Sequence, residues 1–320
     1  MKMMFIFLCS LCVLAAGCKT IEKTVSPAKP ISWREQQAYL KQVRDPRVFG
    51  MRVHQTPGGM EVRGGGRLHN WQSELLDMQT TEPFRPVVRL VGNFGVEWPV
   101  LLDLTSSRTW FEYRVARKLK AQPVSEGDPL MVRLPGEEGM ACLSTTSALR
   151  LGQLHIGHPL MYVRLASNSM GPMARDIAVP ELKGVIGWDL LGKLDRIQFF
   201  YTSGKVLLST VEELYEPHPE LLVATLPMVK RSGGCMVRGT VDGKEMLIAI
   251  DPAGDFEVAT PQGTAVSSIQ IGKELAISAP ISVSSPGGVR IGARFLQDYL
   301  VTVCPKKNLI FLETGSVVEE

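Results

Sequence analysis

Two carboxylates stand out by residue type and setting. Pro99-Val100-Leu101-Leu102 delivers Asp103 into a turn of small residues, Leu104-Thr105-Ser106-Ser107, ahead of Arg108-Thr109-Trp110. A weaker version follows in the second half, where Leu247-Ile248-Ala249-Ile250 delivers Asp251 into Pro252-Ala253-Gly254. Two acids at equivalent ends of two buried strands suggest a dyad. Like charges about 3 Å apart cannot both ionise, so such a pair shares one proton. One member can then act as base and the other as acid on a water held between them.

Strands must carry these acids, and the texture after Pro86 supplies them. Short β-rich runs at 87–91, 98–102, 149–156, 160–165, 197–201 and 206–208 are separated by Gly, Asn and Pro. That pattern predicts an all-β body rather than βαβ units. Helices are few, expected at 33–43, 114–119 and 190–194. Apolar Trp33, Ala38, Tyr39 and Val43 mark the first as amphipathic.

The pattern occurs twice. At an offset of 148 residues Asp103 falls on Asp251, Gly95 on Gly243 and Glu97 on Glu245. Later, Gly184-Val185-Ile186-Gly187-Trp188-Asp189-Leu190-Leu191 lies over Val289-Arg290-Ile291-Gly292-Ala293-Arg294-Phe295-Leu296. Each copy then ends in a hairpin, 197–208 and 300–312. Shared order over four features implies two homologous lobes, joined where Pro217-His218-Pro219 interrupts regular structure.

With those residues in view, the chain resembles an aspartic protease of the pepsin and retropepsin type. Asp103-Leu104-Thr105-Ser106-Ser107-Arg108-Thr109-Trp110 is similar to that family's Asp-Thr-Gly-Ser-Ser-Asn-Leu-Trp, and Val185-Ile186-Gly187 and Ile291-Gly292 to its later hydrophobic-hydrophobic-Gly element. The resemblance implies a bilobal fold of two β-lobes with a cleft between them. It puts Asp103, Asp251 and Ser106 in the catalytic set, and Thr105, Trp110 and Gly254 in contact with substrate. Trp110 also reads as core between the lobes.

The departures from the family are specific. Leu104 and Pro252 lack the hydroxyl that normally locks the two loops together, and Thr105 and Ala253 replace the glycine that brings an N–H to each carboxylate. Ser106 is expected to hydrogen-bond Asp103, and Asp255 to add repulsion beside Asp251. A loosely held dyad loses rate steeply, about 100-fold for a misplacement of about 1 Å. Asp103 to Gly187 spans 84 residues but Asp251 to Gly292 only 41, so a substrate-covering flap fits only the first lobe, at 132–143.

At the N-terminus Lys2, the apolar run 3–14 and Ala15-Ala16-Gly17-Cys18 form a targeting segment too short to span a bilayer. It resembles a bacterial lipoprotein signal, which implies lipid on Cys18 and a membrane-anchored envelope protein, on the periplasmic side of the outer membrane in a Gram-negative host. An ordinary secretory signal is the alternative. The expected divisions are 1–17 signal, 18–50 lipidated tether and short helix, 51–86 lead-in, 87–216 first lobe and 217–320 second lobe.

A net charge of +3 with interspersed signs gives no basic stripe for nucleic acid. Cys142, Cys235 and Cys304 match no zinc spacing and read as small buried hydrophobes, with at most one disulfide. His155 and His158 lack a third ligand nearby, Asp189 is expected to cap the helix at 190, and Gly-x-Ser-x-Gly is absent from the sequence. No metal or organic cofactor is expected. Three functions remain open: peptide binding with a weak or inactive dyad, which the altered positions favour; active endopeptidase; and a non-enzymatic envelope scaffold or assembly protein.

Overall fold

A computed structural model describes residues 28–56, 59–79, 85–92, 95–133, 140–168, 179, 181–212, 215–229, 233–261, 263–284 and 287–314. The targeting segment, Cys18, residues 19–27 and the flap turns at Pro135-Gly136 and Glu138-Gly139 lie outside the described residues.

The protein is an all-β, two-lobed molecule in which two curled sheets form similar half-barrels. In the first sheet Glu97–Leu102 lies at the centre, between Val87–Val91 and the parallel Gly184–Ile186. Beyond Gly184–Ile186 come Trp110–Glu112 and then Leu160–Arg164. The second sheet repeats each relation. Lys244–Asp251 lies between Met236–Val241 and the parallel Val289–Gly292, beyond which stand Val258–Thr260 and Ser282–Ser284. The registers agree as well: Leu102 faces Ile186 and Ile250 faces Ile291.

Central position explains why the runs before the two aspartates show no alternation. Val100, Leu101 and Leu102, like Ile248, Ala249 and Ile250, are buried on both faces. Pro99 is tolerated because it precedes the first parallel pair, Gly184 with Val100. Glycine punctuates the equivalent hairpins at Gly95 and Gly243, both with left-handed φ. Asp242-Gly243 makes a two-residue turn with φ of 48° and 78°, the geometry that Asp-Gly favours.

A third sheet joins the halves. Its antiparallel order is Leu222–Pro227, Leu309–Thr314, Tyr299–Cys304, Arg196–Phe200, Lys205–Ser209 and Ser73–Asp77. The two terminal hairpins expected from sequence thus meet edge to edge, Phe199 facing Val301. One hydrophobic cluster runs through this sheet into both lobes. The connection between lobes is pinned by buried Glu313, which accepts from the Tyr215 hydroxyl and, at 2.8 Å, from the His218 N–H.

Several local expectations shift. The run 149–156 is a hairpin, Ala148–Leu151 with Leu154–Gly157, turning at left-handed Gly152. Helix α1 (Trp33–Leu40) starts with a capping box between Ser32 and Glu35 and buries Tyr39, whose hydroxyl donates to Ser144 Oγ at 2.9 Å. Its Trp33 is 72% exposed, because eight residues bury only one narrow stripe. Helix α2 (Tyr113–Lys118) and the short helix Trp188–Leu191 lie where the sequence placed them to within two residues at the start. Ser73–Asp77, within the lead-in, is an edge strand of the shared sheet.

Candidate functional site

Asp103 stands where its strand ends. Its N–H still donates to Ile186 O at 3.0 Å, which fixes the backbone, and the side chain then caps the turn. Asp103 Oδ1 accepts from Thr105 N–H at 2.7 Å, from the Thr105 hydroxyl at 2.7 Å and from Ser106 N–H at 3.0 Å. Ser106 therefore serves Asp103 through its backbone, while its hydroxyl donates to Arg108 O at 2.8 Å. Thr105, expected to lose the contribution of the glycine it replaces, retains the N–H and adds a hydroxyl.

Asp251 is built differently. It is 3% exposed, and its Oδ1 accepts from Ala253 N–H at 3.2 Å. Its Oδ2 lies 2.9 Å from Arg290 Nη1. Arg290 faces Ala249 as Val185 faces Leu101, so the guanidinium occupies the place of an apolar side chain in the first lobe. Burial pushes the Asp251 carboxyl up to about 7, the nearby charge of Asp103 adds to the rise, and Arg290 opposes it.

The two loops meet. Arg85, 5% exposed and ahead of the first lobe's strand, donates from Nη1 to Ala253 O at 3.0 Å and pairs through Nη2 with Asp255 Oδ2 at 2.8 Å. In the other direction Cys235 N–H donates to Leu104 O at 2.8 Å, and a Cβ on Gly234 would stand 2.8 Å from the same oxygen. Arg85 and Gly233 are equivalent at the offset of 148. Each lobe's lead-in thus touches the other lobe's aspartate loop, a junction made without the threonine hydroxyls that Leu104 and Pro252 lack.

Asp255 does not act as a free like charge. Arg85 and Arg294 hold it on two sides, Arg294 Nε at 2.8 Å from Oδ1. Burial tends to raise its carboxyl, but these partners outweigh burial and hold it below the ordinary carboxylate range. Asp103, Asp251 and Asp255 therefore share a region with Arg85, Arg290 and Arg294. The sequence reading missed the three arginines as a group, although two of them were visible as charged intruders in the second copy, at the places of Val185 and Asp189.

Behind each loop the glycine of the later element is required. A Cβ on Gly187 would collide with the carbonyls of Ser106 and Arg108, and one on Gly292 with those of Gly254 and Phe256. Trp188 N–H donates to Ser106 O and Ala293 N–H to Gly254 O, each at 2.7 Å. This is the role of Gly254: its carbonyl anchors the short helix Ala293–Leu296, and a Cβ there would run into Phe256.

Asp189 is not the expected helix cap. Gly187 holds the N-cap position, and Asp189 sits in the first turn, accepting from the Thr109 hydroxyl at 2.8 Å while Thr109 Oγ1 accepts from Gly187 N–H at 3.0 Å. Trp110 is 6% exposed, lies in a cluster with Leu101 and Ala253, and carries Arg164 at 3.3 Å from its ring centre. Cys142, Cys235 and Cys304 are separate buried thiols. His69 and His155 pack edge to face, and His158 lies against Phe49.

The hairpin of Met131–Arg133 with Met140–Thr145 occupies the region expected for a flap, and Met131–Arg133 forms the outer edge of the first sheet. Leu130, Val132 and Leu143 share the cluster of Trp110 and Ala253, so the base of this hairpin packs beside the loops. No protein-family model matches the chain, and no curated protein matches it.

Proposed function

We propose that this is an aspartic-protease-like protein, anchored in the cell envelope through lipid on Cys18, that binds extended peptides between its lobes without cleaving them. The observation that carries the reading is the ion pair of Asp251 with Arg290. Water activation needs one carboxyl free to hand over a proton and another free to take one. Here Asp251 Oδ2 faces a guanidinium and Asp103 Oδ1 accepts from three donors, which draws one oxygen of each acid away from a shared water. Peptide binding is supported by Met131–Arg133, an edge strand among the described residues, where an added strand could pair.

A second reading, active endopeptidase, draws on one observation: burial holds Asp251 near 7 beside a second carboxylate, as an acid–base pair requires. A non-enzymatic scaffold is the third. The chain from residue 19 onward, incubated with a peptide library from acid to neutral pH, separates them. The expected result is retention of peptides on the immobilised protein and no cleavage. Cleavage that disappears in both Asp103→Asn and Asp251→Asn establishes the peptidase. Absence of both retention and cleavage leaves the scaffold. Arg290→Val tests the cause, since gain of cleavage in that variant assigns the silence of the parent to the guanidinium.

A further inference from the structure

Away from the aspartate loops, α1 and α2 build a cationic face. In α2 and the residue pair after it, Tyr113, Val115, Ala116 and Leu119 are buried, which turns Arg114, Arg117, Lys118 and Lys120 outward. Two hollows of about 450 and 620 Å³ flank Glu35, Tyr113 and Arg117, which line both. Arg34 and Lys120 line the first, and Lys29, Arg114 and Lys118 the second. Among the described residues, six basic side chains therefore line these two adjoining hollows with a single acid, Glu35, which is engaged with Ser32 in the capping box. Helix-end electrostatics account for Arg117 and Lys118 in the last turn of α2, but not for Lys29, Arg34 or Arg114.

Two further observations identify what this face meets. The described chain begins here: Lys29–Pro30 pairs with Ala166–Ser167, and Lys29 and Pro30 line the larger hollow. Residues 1–27, which include Cys18, therefore join the body at this surface. Beside it stands Trp33, 72% exposed, between Ser32 and Arg34. Tryptophan favours the membrane–water boundary, where one part of the ring is apolar and one edge wet.

We propose that this face docks on the headgroups of an anionic phospholipid bilayer, with Trp33 entering the interface. The proposal rests on the envelope reading for its setting but not for its physics, since each basic residue near such a surface contributes without any covalent lipid. Among the described residues the buried members of both clusters begin at Tyr39, with Ile31 packed against the first, so a chain starting at residue 19 keeps all of them and lacks Cys18 and the apolar run before it.

That chain is sedimented with vesicles of phosphatidylcholine alone and of phosphatidylcholine mixed with phosphatidylglycerol. Binding is expected only with the anionic lipid, and it should weaken as salt shortens the screening length. Arg114→Gln with Lys118→Gln should lower affinity about 25-fold, at about fivefold per charge. Trp33→Ala should weaken it further, and Lys244→Gln, on a hairpin of the second lobe's sheet that lines neither hollow, should change nothing. Thermal unfolding of each variant confirms an intact fold. No vesicle binding, equal binding to both lipids, full binding by the double variant, or binding to soluble heparin in place of vesicles overturns the proposal. Attachment of lipid to Cys18 is read separately, from the intact mass of protein extracted from membranes, so the two ideas fail independently.

Discussion

Replacing Asp251 by asparagine should stabilise the protein, and by an amount that grows with pH. The side chain is 3% exposed, and burial raises its carboxyl from an ordinary 3.8 to about 7 even with Arg290 beside it. The folded state therefore binds this proton more tightly than the unfolded chain. Its contribution to stability is complete below the unfolded pKa and is lost as pH rises through about 7. With so large a rise the full loss is several kcal/mol, of which less than half has developed by about pH 5 and nearly all by about pH 8. Asparagine keeps the shape and one acceptor but carries no charge to bury. The variant should exceed the parent at about pH 5, and by at least twice that margin, several kcal/mol, at about pH 8. Denaturant unfolding of both proteins at the two pH values measures this directly. Carboxylates common to both, such as Asp45 and Asp255, cancel in the difference. A difference that is flat with pH, or one that favours the parent more as pH rises, would refute the reasoning, because it would mean that Arg290 holds Asp251 ionised throughout.

Two more perturbations test how the loops are held. Arg85→Met should cost about 2–4 kcal/mol, because it strips a buried carbonyl at Ala253 of its donor and Asp255 of one of its two cations. Hydrogen exchange should quicken at 251–256 more than at 103–108, and uniform quickening would deny Arg85 a local role. Gly187→Ala and Gly292→Ala should each destabilise by several kcal/mol, comparable to a severe core overpacking. Markedly unequal losses in the two variants would show that the half-barrels do not hold their loops by the same packing.

Much of the architecture was legible in the chain. Two unbroken apolar runs ending in aspartate, the repeat at 148 residues, the later glycine of each copy and the two terminal hairpins suffice to place the central strands. The reason is that a central strand covered on both faces must be continuously apolar, and its sequence shows it. Gly187 and Gly292 were readable because only glycine lets a backbone pass so close to another. The hairpin at 132–143 also followed from the unequal lengths of the two copies. Less visible were Ser73–Asp77, whose half-buried alternation is weak, and the split of 149–156 into two strands, which turns on the single residue Gly152.

What the sequence could not determine was the electrical state of the site. Leu104, Thr105, Pro252 and Ala253 suggested a network largely lost, yet the N–H groups of Thr105 and Ala253 still reach their carboxylates, because that bond depends on backbone conformation and not on the side chain. Arg85, Arg290 and Arg294 all lie far in the chain from Asp251 and Asp255, so only folding brings them together. Residue types and their spacing fix which strands are buried and where turns fall, since those follow from local pattern and desolvation. Which charges become neighbours, and so whether a buried aspartate keeps or sheds its proton, is decided by distances that exist only once the second sheet has formed, for Arg290 and Arg294, and once the lobes have met, for Arg85.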